Sequence, residues 1–384
     1  MSVQPPATAV LGAGLACALG HGLEACTDAL LEGRRSVDHI TLDTLDPPLN
    51  LPCHRIPGGP SSPTERLYAL LDEVVQTALD AAGLRDAERG RMGILLGSTS
   101  MDISVSEGLY AQALDRDEDA MPLALSGYGN LATRVAERFG IHGPDFSFNT
   151  ACSSAANALL YAQRLIEGGV LDHVLVLGVE MLNRLSLAGF HSLMLYAPDA
   201  ARPFDVSRNG LVLGEALSAA VIGRGDGVWP GLRLRGGATG CDTTSSTNAT
   251  PGHIAAIMRE TLADVGCDPS AVAGIKAHGT STPSNDLAEG QGMRELFGRE
   301  VPPFTSLKPQ LGHTLGACGL VETLLFMACV ARGSLPATRG FAEVDPEIAL
   351  APLNTVQHAP VGVYLLNYFG FGGNNCSLVV ERTA

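Results

Sequence analysis

Short apolar segments of strand length alternate along this chain with longer segments whose apolar residues recur at helical spacing. Residues 92–97 and 173–179 are of the first kind, and residues 66–82 are of the second. Residues 23–31 are predicted to form the first helix. The second half continues the alternation, with helices predicted at residues 254–265, 287–297 and 319–331 and strands at 272–277, 362–367 and 375–381. This alternation predicts a fold built of α/β layers.

A glycine-rich stretch at residues 223–237 is the best place to divide the chain. It is too short to act as a flexible tether, so we predict two halves, 1–225 and 226–384, that share one body. No repeat between the halves is evident in the residues themselves. The 384-residue chain is 46% hydrophobic and 17% charged, which is enough apolar material for a large core.

The charge balance and the cysteines narrow the class of protein. A net charge of −15 argues against nucleic acid or an anionic membrane as the main partner. Nine cysteines form no paired framework, which predicts free thiols in a reducing cytoplasm, and no zinc spacing occurs, so we predict no metal. Residues 9–17 lack a basic flank and are interpreted as the first strand, and residues 315–330 are too short to span a bilayer.

Cys152 lies at the junction between a strand-like segment, residues 145–148, and an alanine-rich helical segment that stops at Gly168. A cysteine in the first turn of a helix is close to unpaired N–H groups and to the positive end of the helix dipole, and both favour the thiolate. The plain alternative is a small buried core cysteine. Two histidine-containing segments favour the nucleophile instead.

These segments combine histidine or glycine with small polar residues. His278 follows a predicted strand and begins a run of Gly, Thr and Ser residues, and His313 precedes the helix that carries Glu322. In a third segment, the glycines around Phe371 allow backbone N–H groups to approach a substrate closely. Either histidine alone is more often structural than catalytic, whereas the joint pattern is specific.

In combination, these motifs resemble those of the elongating β-ketoacyl-acyl carrier protein synthases, a branch of the thiolase-fold condensing enzymes. The resemblance covers nearly the whole chain and includes residues 202–210 and the pair Gly214 and Glu215. It implies an α/β, five-layered thiolase fold (αβαβα) of two similar halves, dimerised through a central sheet. It also implies decarboxylative Claisen condensation of malonyl-carrier protein with a Cys-bound acyl chain, in a fatty-acid pathway or, as we favour, a specialised polyketide or polyene pathway.

The resemblance also assigns roles to individual residues. Cys152 would be the nucleophile, and His278 and His313 would donate hydrogen bonds to the malonyl thioester carbonyl. Lys308 and Glu322 would form a supporting ion pair. The backbone N–H groups of Cys152 and Phe371 would form the oxyanion hole, and the phosphopantetheine arm and acyl chain would contact Thr280, Thr282, Phe369 and Phe371. No metal or diffusible cofactor is implied, because the carrier protein delivers the phosphopantetheine.

Two alternative functions are known within the same fold: a partner subunit and a thiolase. A chain-length-factor-like partner subunit of a heterodimeric ketosynthase would be non-catalytic or weakly active, and such partners generally lack the nucleophilic cysteine. A degradative thiolase would need a second cysteine motif near the C-terminus, whereas Cys376 falls on the closing strand. We therefore expect an active condensing enzyme that works as a homodimer or as a heterodimer with a related subunit.

The expected carrier-binding region departs from the family pattern. Residues 115–119 are mostly acidic, where family members often carry basic residues that meet the acidic carrier protein. Like charges there would weaken docking, which predicts an unusual carrier or a partner subunit that supplies the basic face. Arg66 and Arg202 are further candidates for carrier contacts.

Overall fold

In the computed structural model, helices cover and separate two large mixed β-sheets, which one residue pair joins into an 11-stranded network; two smaller sheets, among the described residues, have two strands each. The structure describes residues 8–43, 45–116, 127, 129–245, 247 and 249–384. The strands are β1 (Thr8–Cys17), β2 (Gly20–His21), β3 (Asp38–Leu42), β4 (Leu49–Cys53), β5 (Gly93–Gly97), β6 (Asp145–Phe148), β7 (His173–Glu180), β8 (Ala216–Arg224), β9 (Leu232–Cys241), β10 (Val272–Lys276), β11 (Phe304–Thr305), β12 (Ser334–Leu335), β13 (Gln357–His358), β14 (Gly362–Phe369) and β15 (Asn374–Arg382). The helices are α1 (Leu23–Leu31), α2 (Pro63–Ala82), α3 (Asp86–Arg89), α4 (Ile103–Asp115), α5 (Asn130–Phe139), α6 (Ser154–Glu167), α7 (Arg184–Ser192), α8 (Pro251–Asp264), α9 (Pro283–Phe297), α10 (Lys308–Leu311) and α11 (Cys318–Ala331).

The two sheets repeat one topology. The first has the strand order β6-β5-β7-β8-β1, and the second has the order β11-β10-β14-β15-β9. In both, the first two pairings are parallel and the next two are antiparallel. The sheets meet through the residue pair Thr8 and Leu234, on β1 and β9. The halves therefore repeat in strand order, which the sequence comparison of the halves did not reveal.

The layers follow the order α-β-α-β-α, which confirms the predicted five-layered thiolase architecture. Helix α6 contacts β5 and β7 on one side and β9 and β15 on the other, and α11 packs beside it. Helix α2 covers the outer face of the first sheet at β1 and β8, and α8 covers the second at β9 and β15. The largest apolar cluster lies around α6 and α11, between the sheets.

The two central helices approach each other closely because small residues line their crossing. A Cβ atom built on Gly319 of α11 would lie 2.0 Å from the backbone nitrogen of Ala156 on α6. Residues 318–330 of α11 are all buried, which agrees with a helix that is apolar on every face. Glu322 is the one ionisable carboxylate in that helix.

The predicted elements are confirmed, with small shifts at their ends. Helices α8 and α9 begin earlier than predicted, at Pro251 and Pro283, because proline at the first helical position favours the start of a helix. The stretch 223–237 lies largely in β8 and β9, and only residues 225–231 connect the two strands. The division between 225 and 226 stays a prediction. Within the described part of the chain, every helix is too short or too polar to cross a membrane.

Candidate active site

Cys152 lies in a tight turn between β6 and α6. A short 3₁₀ turn over Ala151–Ser153 leads directly into α6. Ala151 has φ 51°, a left-handed conformation that a non-glycine residue rarely adopts. The backbone N–H of Thr150 donates to the Ser154 hydroxyl at 2.9 Å, which holds the turn. As a result, the Cys152 side chain is directed into the protein and is only 5% exposed.

His313 is held opposite Cys152 by strand-like backbone contacts. Its N–H donates to the carbonyl of Val212 at 2.7 Å, and its carbonyl accepts from the N–H of Gly214 at 3.0 Å. The ring Nε2 lies 3.1 Å from the Cys152 sulfur. On the other side of the ring, the N–H of Leu315 donates to Nδ1 at 3.3 Å. Because Nδ1 accepts this bond, the proton of the neutral ring lies on Nε2.

His278 completes the cluster from the end of β10. Its backbone N–H donates to Glu289 Oε1 at 2.8 Å, and its ring meets that of His313 edge-on, with 5.4 Å between the ring centres. The Lys308 ammonium, which can only donate, lies 3.4 Å from His278 Nδ1. The neutral ring therefore carries its proton on Nε2. One ring nitrogen from each histidine and the Cys152 sulfur lie within 4.8 Å of one another.

Both histidines are placed to donate hydrogen bonds from Nε2. Burial lowers the pKa of each imidazole well below its ordinary value, and the nearby Lys308 cation lowers it further. Neutral rings with protonated Nε2 atoms suit the stabilisation of a developing oxyanion. The predicted grouping of Cys152, His278 and His313 in space is what the structure contains.

The thiol of Cys152 differs from the expectation of a resting thiolate. Burial raises its pKa to about 11, although Lys308 and the N–H of Phe371 act in the opposite direction. The expectation based on the helix start is therefore wrong for the free protein, because desolvation of the sulfur outweighs the nearby dipoles. The resting pair is a neutral thiol beside a neutral imidazole.

Glu322 binds two lysines rather than one. Lys308 Nζ lies 2.7 Å from Glu322 Oε1, as the predicted pair requires. Lys276 Nζ lies 2.7 Å from Oε2 of the same carboxylate. The sequence analysis assigned no role to Lys276. The available signal was a lysine at the end of an otherwise apolar strand, because a buried cation needs a buried anion.

A cavity of about 240 Å³ opens onto the cysteine and both histidines. The residues predicted to contact the phosphopantetheine arm and acyl chain all line it: Thr280, Thr282, Phe369 and Phe371. The hydroxyl oxygens of Thr280 and Thr282 lie 2.9 Å apart. The ring of Phe371 stacks against Phe190 at 5.6 Å. A polar pair and an apolar pair of side chains therefore share one cavity.

A buried carboxylate near Cys152 was also missed by the sequence analysis. Glu180, at the end of β7, accepts hydrogen bonds from the backbone N–H groups of Thr99, Ser100 and Gly316. It thereby ties the turn that follows β5 to the turn that precedes α11. Burial raises the pKa of this carboxyl. Glu180 is the last residue of a short buried strand, and no spacing of apolar and polar residues in the sequence marks it as a functional position.

The Cys152, His278 and His313 cluster is a poor fit for a resident metal ion, although the spacing of its donor atoms is short. Each Nε2 carries a proton rather than a free lone pair, as the contacts at Nδ1 show. The Lys308 ammonium beside His278 would repel a cation. The donor chemistry favours an anion at this position.

Four further expectations concern Arg66, Arg202, the acidic stretch and Cys376. Arg66 is not a surface contact for a carrier, because it is 8% exposed and donates to Glu215 at 2.9 Å. The carrier contact of Arg202 stays a prediction; its side chain is 28% exposed and forms an ion pair with Asp199. Of the acidic stretch, residues 115 and 116 end α4, and residues 117–119 lie outside the described residues. Cys376 is buried on β15 and does not line the cavity.

Comparison with known proteins places the fold and the sequence in one class. The sequence matches the family "Beta-ketoacyl synthase, N-terminal domain" over residues 7–226 and "Beta-ketoacyl synthase, C-terminal domain" over residues 233–342. Among curated proteins, it is 29% identical to 3-oxoacyl-[acyl-carrier-protein] synthase 2 of a Synechocystis species, over 80% of this chain and 79% of that protein. It is 27% identical to nodulation protein E of a Rhizobium species, over 97% of this chain and 98% of that protein.

Solved structures give the same class. A chain of the ishigamide ketosynthase/chain length factor is 26% identical, with a TM-score of 0.88, and 99% of this chain aligns with all of it. A β-ketoacyl synthase from Burkholderia phymatum is 28% identical, with a TM-score of 0.85 and the same coverage. These neighbours are ketosynthases of the thiolase fold. The chain belongs to the β-ketoacyl synthase family, and it is a condensing enzyme of the acyltransferase class.

Proposed function

We propose that this protein is an active β-ketoacyl-acyl carrier protein synthase in which Cys152 carries the growing acyl chain. The observation that carries the proposal is the contact of 3.1 Å between the Cys152 sulfur and His313 Nε2, beside a second histidine and a cavity. A chain-length-factor-like subunit has no need of this contact. A thiolase would need a second cysteine at the cavity, and Cys152 is the cysteine that lines it among the described residues.

In the first step, the sulfur of Cys152 attacks the thioester carbonyl of an acyl-carrier protein. A bond forms between the Cys152 sulfur and the acyl carbon, and the bond to the phosphopantetheine sulfur breaks. The thiol proton ends on the departing phosphopantetheine sulfur. The Phe371 N–H, which acts on the Cys152 sulfur, is positioned with the Cys152 N–H to stabilise the oxyanion that forms.

In the second step, malonyl-carrier protein enters the same cavity. His278 and His313 donate from Nε2 to its thioester carbonyl, and the bond to the carboxylate breaks to release CO₂ and leave an enolate. The enolate carbon attacks the acyl carbon on Cys152, the bond from that carbon to the Cys152 sulfur breaks, and the sulfur takes up one proton from water. The product is a β-ketoacyl chain, longer by two carbons, on the carrier that brought malonate. Fixed donors need little reorganisation, which lowers the barrier.

The proposed partners are an acyl carrier protein and a second ketosynthase-like subunit. Among known structures, the ketosynthase ApeO is seen in complex with its chain length factor ApeC from Xenorhabdus doucetiae, at 26% identity to this chain and a TM-score of 0.85. Strand β6 forms one end of its sheet, and Phe146 on it is 52% exposed. Pairing of two subunits along β6 would cover this apolar side chain and continue the sheet. Either a homodimer or a heterodimer with a related subunit could cover Phe146 and continue the sheet in this way.

The pathway and the location belong to the same proposal. The acidic residues 115–119 support a dedicated carrier, and hence a specialised polyketide or polyene pathway, over housekeeping fatty-acid elongation. The described cysteines are all free thiols, which supports a reducing cytoplasmic compartment. The phosphopantetheine is supplied on the carrier.

A condensation assay tests the proposal. Protein that has been acylated on Cys152 is mixed with malonyl-carrier protein, and CO₂ and the carrier-bound product are measured by mass. We expect equal amounts of CO₂ and of a product longer by two carbons, and a large loss of both with His278→Ala. Release of the acyl group without any carbon–carbon bond, with every carrier and candidate partner subunit tested, would refute the proposal.

A further inference from the structure

Lys276 is a buried cation that the proposed cycle does not use. It is the last residue of β10, two residues before His278, and it is fully buried. Its Nζ donates to Glu322 Oε2 and to the backbone carbonyl of Asn367, both at 2.7 Å. It also lies 3.5 Å from the centre of the Tyr368 ring. These three contacts match the three N–H bonds of the ammonium group.

The charge around Glu322 is unbalanced. Lys276 and Lys308 each contact one oxygen of the same carboxylate, and all three side chains are at most 1% exposed. With both lysines protonated, two positive charges share one negative charge, which leaves a net charge of +1. Burial lowers the pKa of Lys276, and the Glu322 carboxylate acts in the opposite direction. A single lysine would be enough to neutralise the carboxylate. Burial of an additional cation is costly, so its presence beside a reaction site suggests a role in the chemistry.

The excess charge lies next to the proposed catalytic groups. Lys308 Nζ is 3.4 Å from His278 Nδ1, and His278 meets His313 edge-on. Lys276 does not line the cavity, so it can influence the reaction only through its charge and its neighbours. Both lysines lower the pKa of both imidazoles, after the larger effect of burial.

We propose that Lys276 is a positioning residue that, by sharing Glu322, leaves a net positive charge beside Cys152 and the two histidines. That charge keeps the imidazoles neutral as hydrogen-bond donors, and it stabilises the thiolate, oxyanion and enolate that form during the cycle. The inference rests on the proposed function. Removal of Lys276 would leave Glu322 and Lys308 as a neutral pair.

Other titratable groups face this array and must be considered. Glu289 and Glu180 are buried carboxyls nearby, and burial raises the pKa of Glu289 to about 7. Both bind backbone N–H groups rather than the lysines. The remaining groups are neutral at rest, because burial raises their pKa: the side chains of Cys318, Cys376 and Tyr368. The Lys276 cation lowers the pKa of Glu289, Cys318 and Cys376, so its loss would raise these values as well. The comparison that isolates the charge is therefore Lys276→Met against Lys276→Arg, which keeps it.

An electrostatic role and a purely structural role of Lys276 predict opposite shifts in the pKa of the Cys152 thiol when the lysine is removed. Loss of a nearby positive charge makes deprotonation of the Cys152 thiol harder, so the pKa of the thiol would rise above about 11. A structural defect would instead admit water to the site. Because burial is what raises the pKa of Cys152, hydration would lower it towards the ordinary cysteine value. The direction of the shift therefore decides between the two.

The experiment alkylates the whole protein with iodoacetamide across pH and follows the peptide that carries Cys152 by mass after proteolysis, because the exposed Cys241 would also react. With Lys276→Met, we expect the rising limb of the profile to move up by about one pH unit, so that alkylation at a given pH is about tenfold slower. Lys276→Arg keeps the charge and should stay close to the original profile. If Lys276→Met does not fold, Lys276→Gln replaces it, with the same expected shift.

An unchanged profile, or a shift to lower pH, in a folded Lys276→Met or Lys276→Gln protein would overturn the inference. Alkylation uses neither carrier protein nor malonate, so the result does not depend on finding the natural substrate. A protein that condenses malonate normally but shows no shift refutes only the role of Lys276. A protein that shows the shift but never condenses malonate refutes the proposed function instead.

Discussion

Substitution of Glu322 by glutamine gives the sharpest stability prediction. The carboxylate is the only anion in direct contact with Lys276 and Lys308 among the contacts of the described residues, at 2.7 Å each. Glutamine keeps the size of the side chain and removes the charge. Two lysine ammonium groups would then face each other in a site that excludes water. Breaking a buried ion pair by removing one partner typically costs about 3–5 kcal/mol.

A surface array of the same kind provides the control. Arg332 contacts Glu24 and Asp28, and Glu24 is 77% exposed there. Exposed pairs contribute at most about 1 kcal/mol, because water and salt screen them. Glu24→Gln should therefore change the free energy of unfolding by less than about 1 kcal/mol. The buried and exposed substitutions remove the same chemical group, so their difference measures the effect of burial.

Urea denaturation at neutral pH measures both variants. We expect the midpoint to fall clearly for Glu322→Gln and hardly at all for Glu24→Gln. The pH dependence adds a second check. Burial acts to raise the pKa of Glu322, but the two lysines outweigh it and hold the pKa below its usual value, so its stabilising effect is present at neutral pH and is lost as pH falls through the lowered pKa. The difference in urea midpoint between wild type and Glu322→Gln should therefore become smaller as the pH falls. Equal midpoints for the two variants would refute the assigned energetics of the buried array.

Three further predictions concern the reaction and the packing. His313→Ala should lower the condensation rate by about 10²–10³-fold, because one donor to the developing oxyanion is lost, and steady-state product formation would show it; a loss below tenfold would contradict that role. Thr282→Val should raise KM for carrier-bound substrates several-fold with a smaller change in kcat, because a binding contact is lost in ground and transition states alike; a fall in kcat alone would contradict this. Gly319→Ala should destabilise the fold by about 1–3 kcal/mol in urea, because its Cβ would lie 2.0 Å from Ala156 N, whereas Gly189→Ala, with no atom within 4 Å, should be neutral or stabilising.

The sequence predicted the helices and strands from their periodicity, and it predicted the site trio through the resemblance to family motifs. The apolar stripe of α2 and the wholly apolar α11 have unambiguous periodicity, so their positions could be inferred locally. Cys152 follows β6 and His278 follows β10, whereas His313 lies between α10 and α11.

Other features depend on contacts between distant segments, which local patterns do not encode. Arg66 looks like an exposed residue of an amphipathic helix, but its partner Glu215 lies 149 residues away. Lys276 donates to Glu322, which lies 46 residues further along the chain, and neither residue alone indicates that two lysines share this carboxylate. The pKa of Cys152 depends on how completely the surrounding layers exclude water, which only the packed structure reveals. The repeat of strand order between the halves likewise required the pairing of strands.

The role of Cys152 as the acylated nucleophile is the central claim, and intact-protein mass tests it most directly. The protein is incubated with a panel of acyl-carrier proteins, alone and with candidate partner subunits, beside Cys152→Ala and Cys376→Ala variants. The account predicts one acyl group per chain on the wild type and on Cys376→Ala, and none on Cys152→Ala. An adduct that persists in Cys152→Ala, or no adduct with any donor and partner, would contradict it.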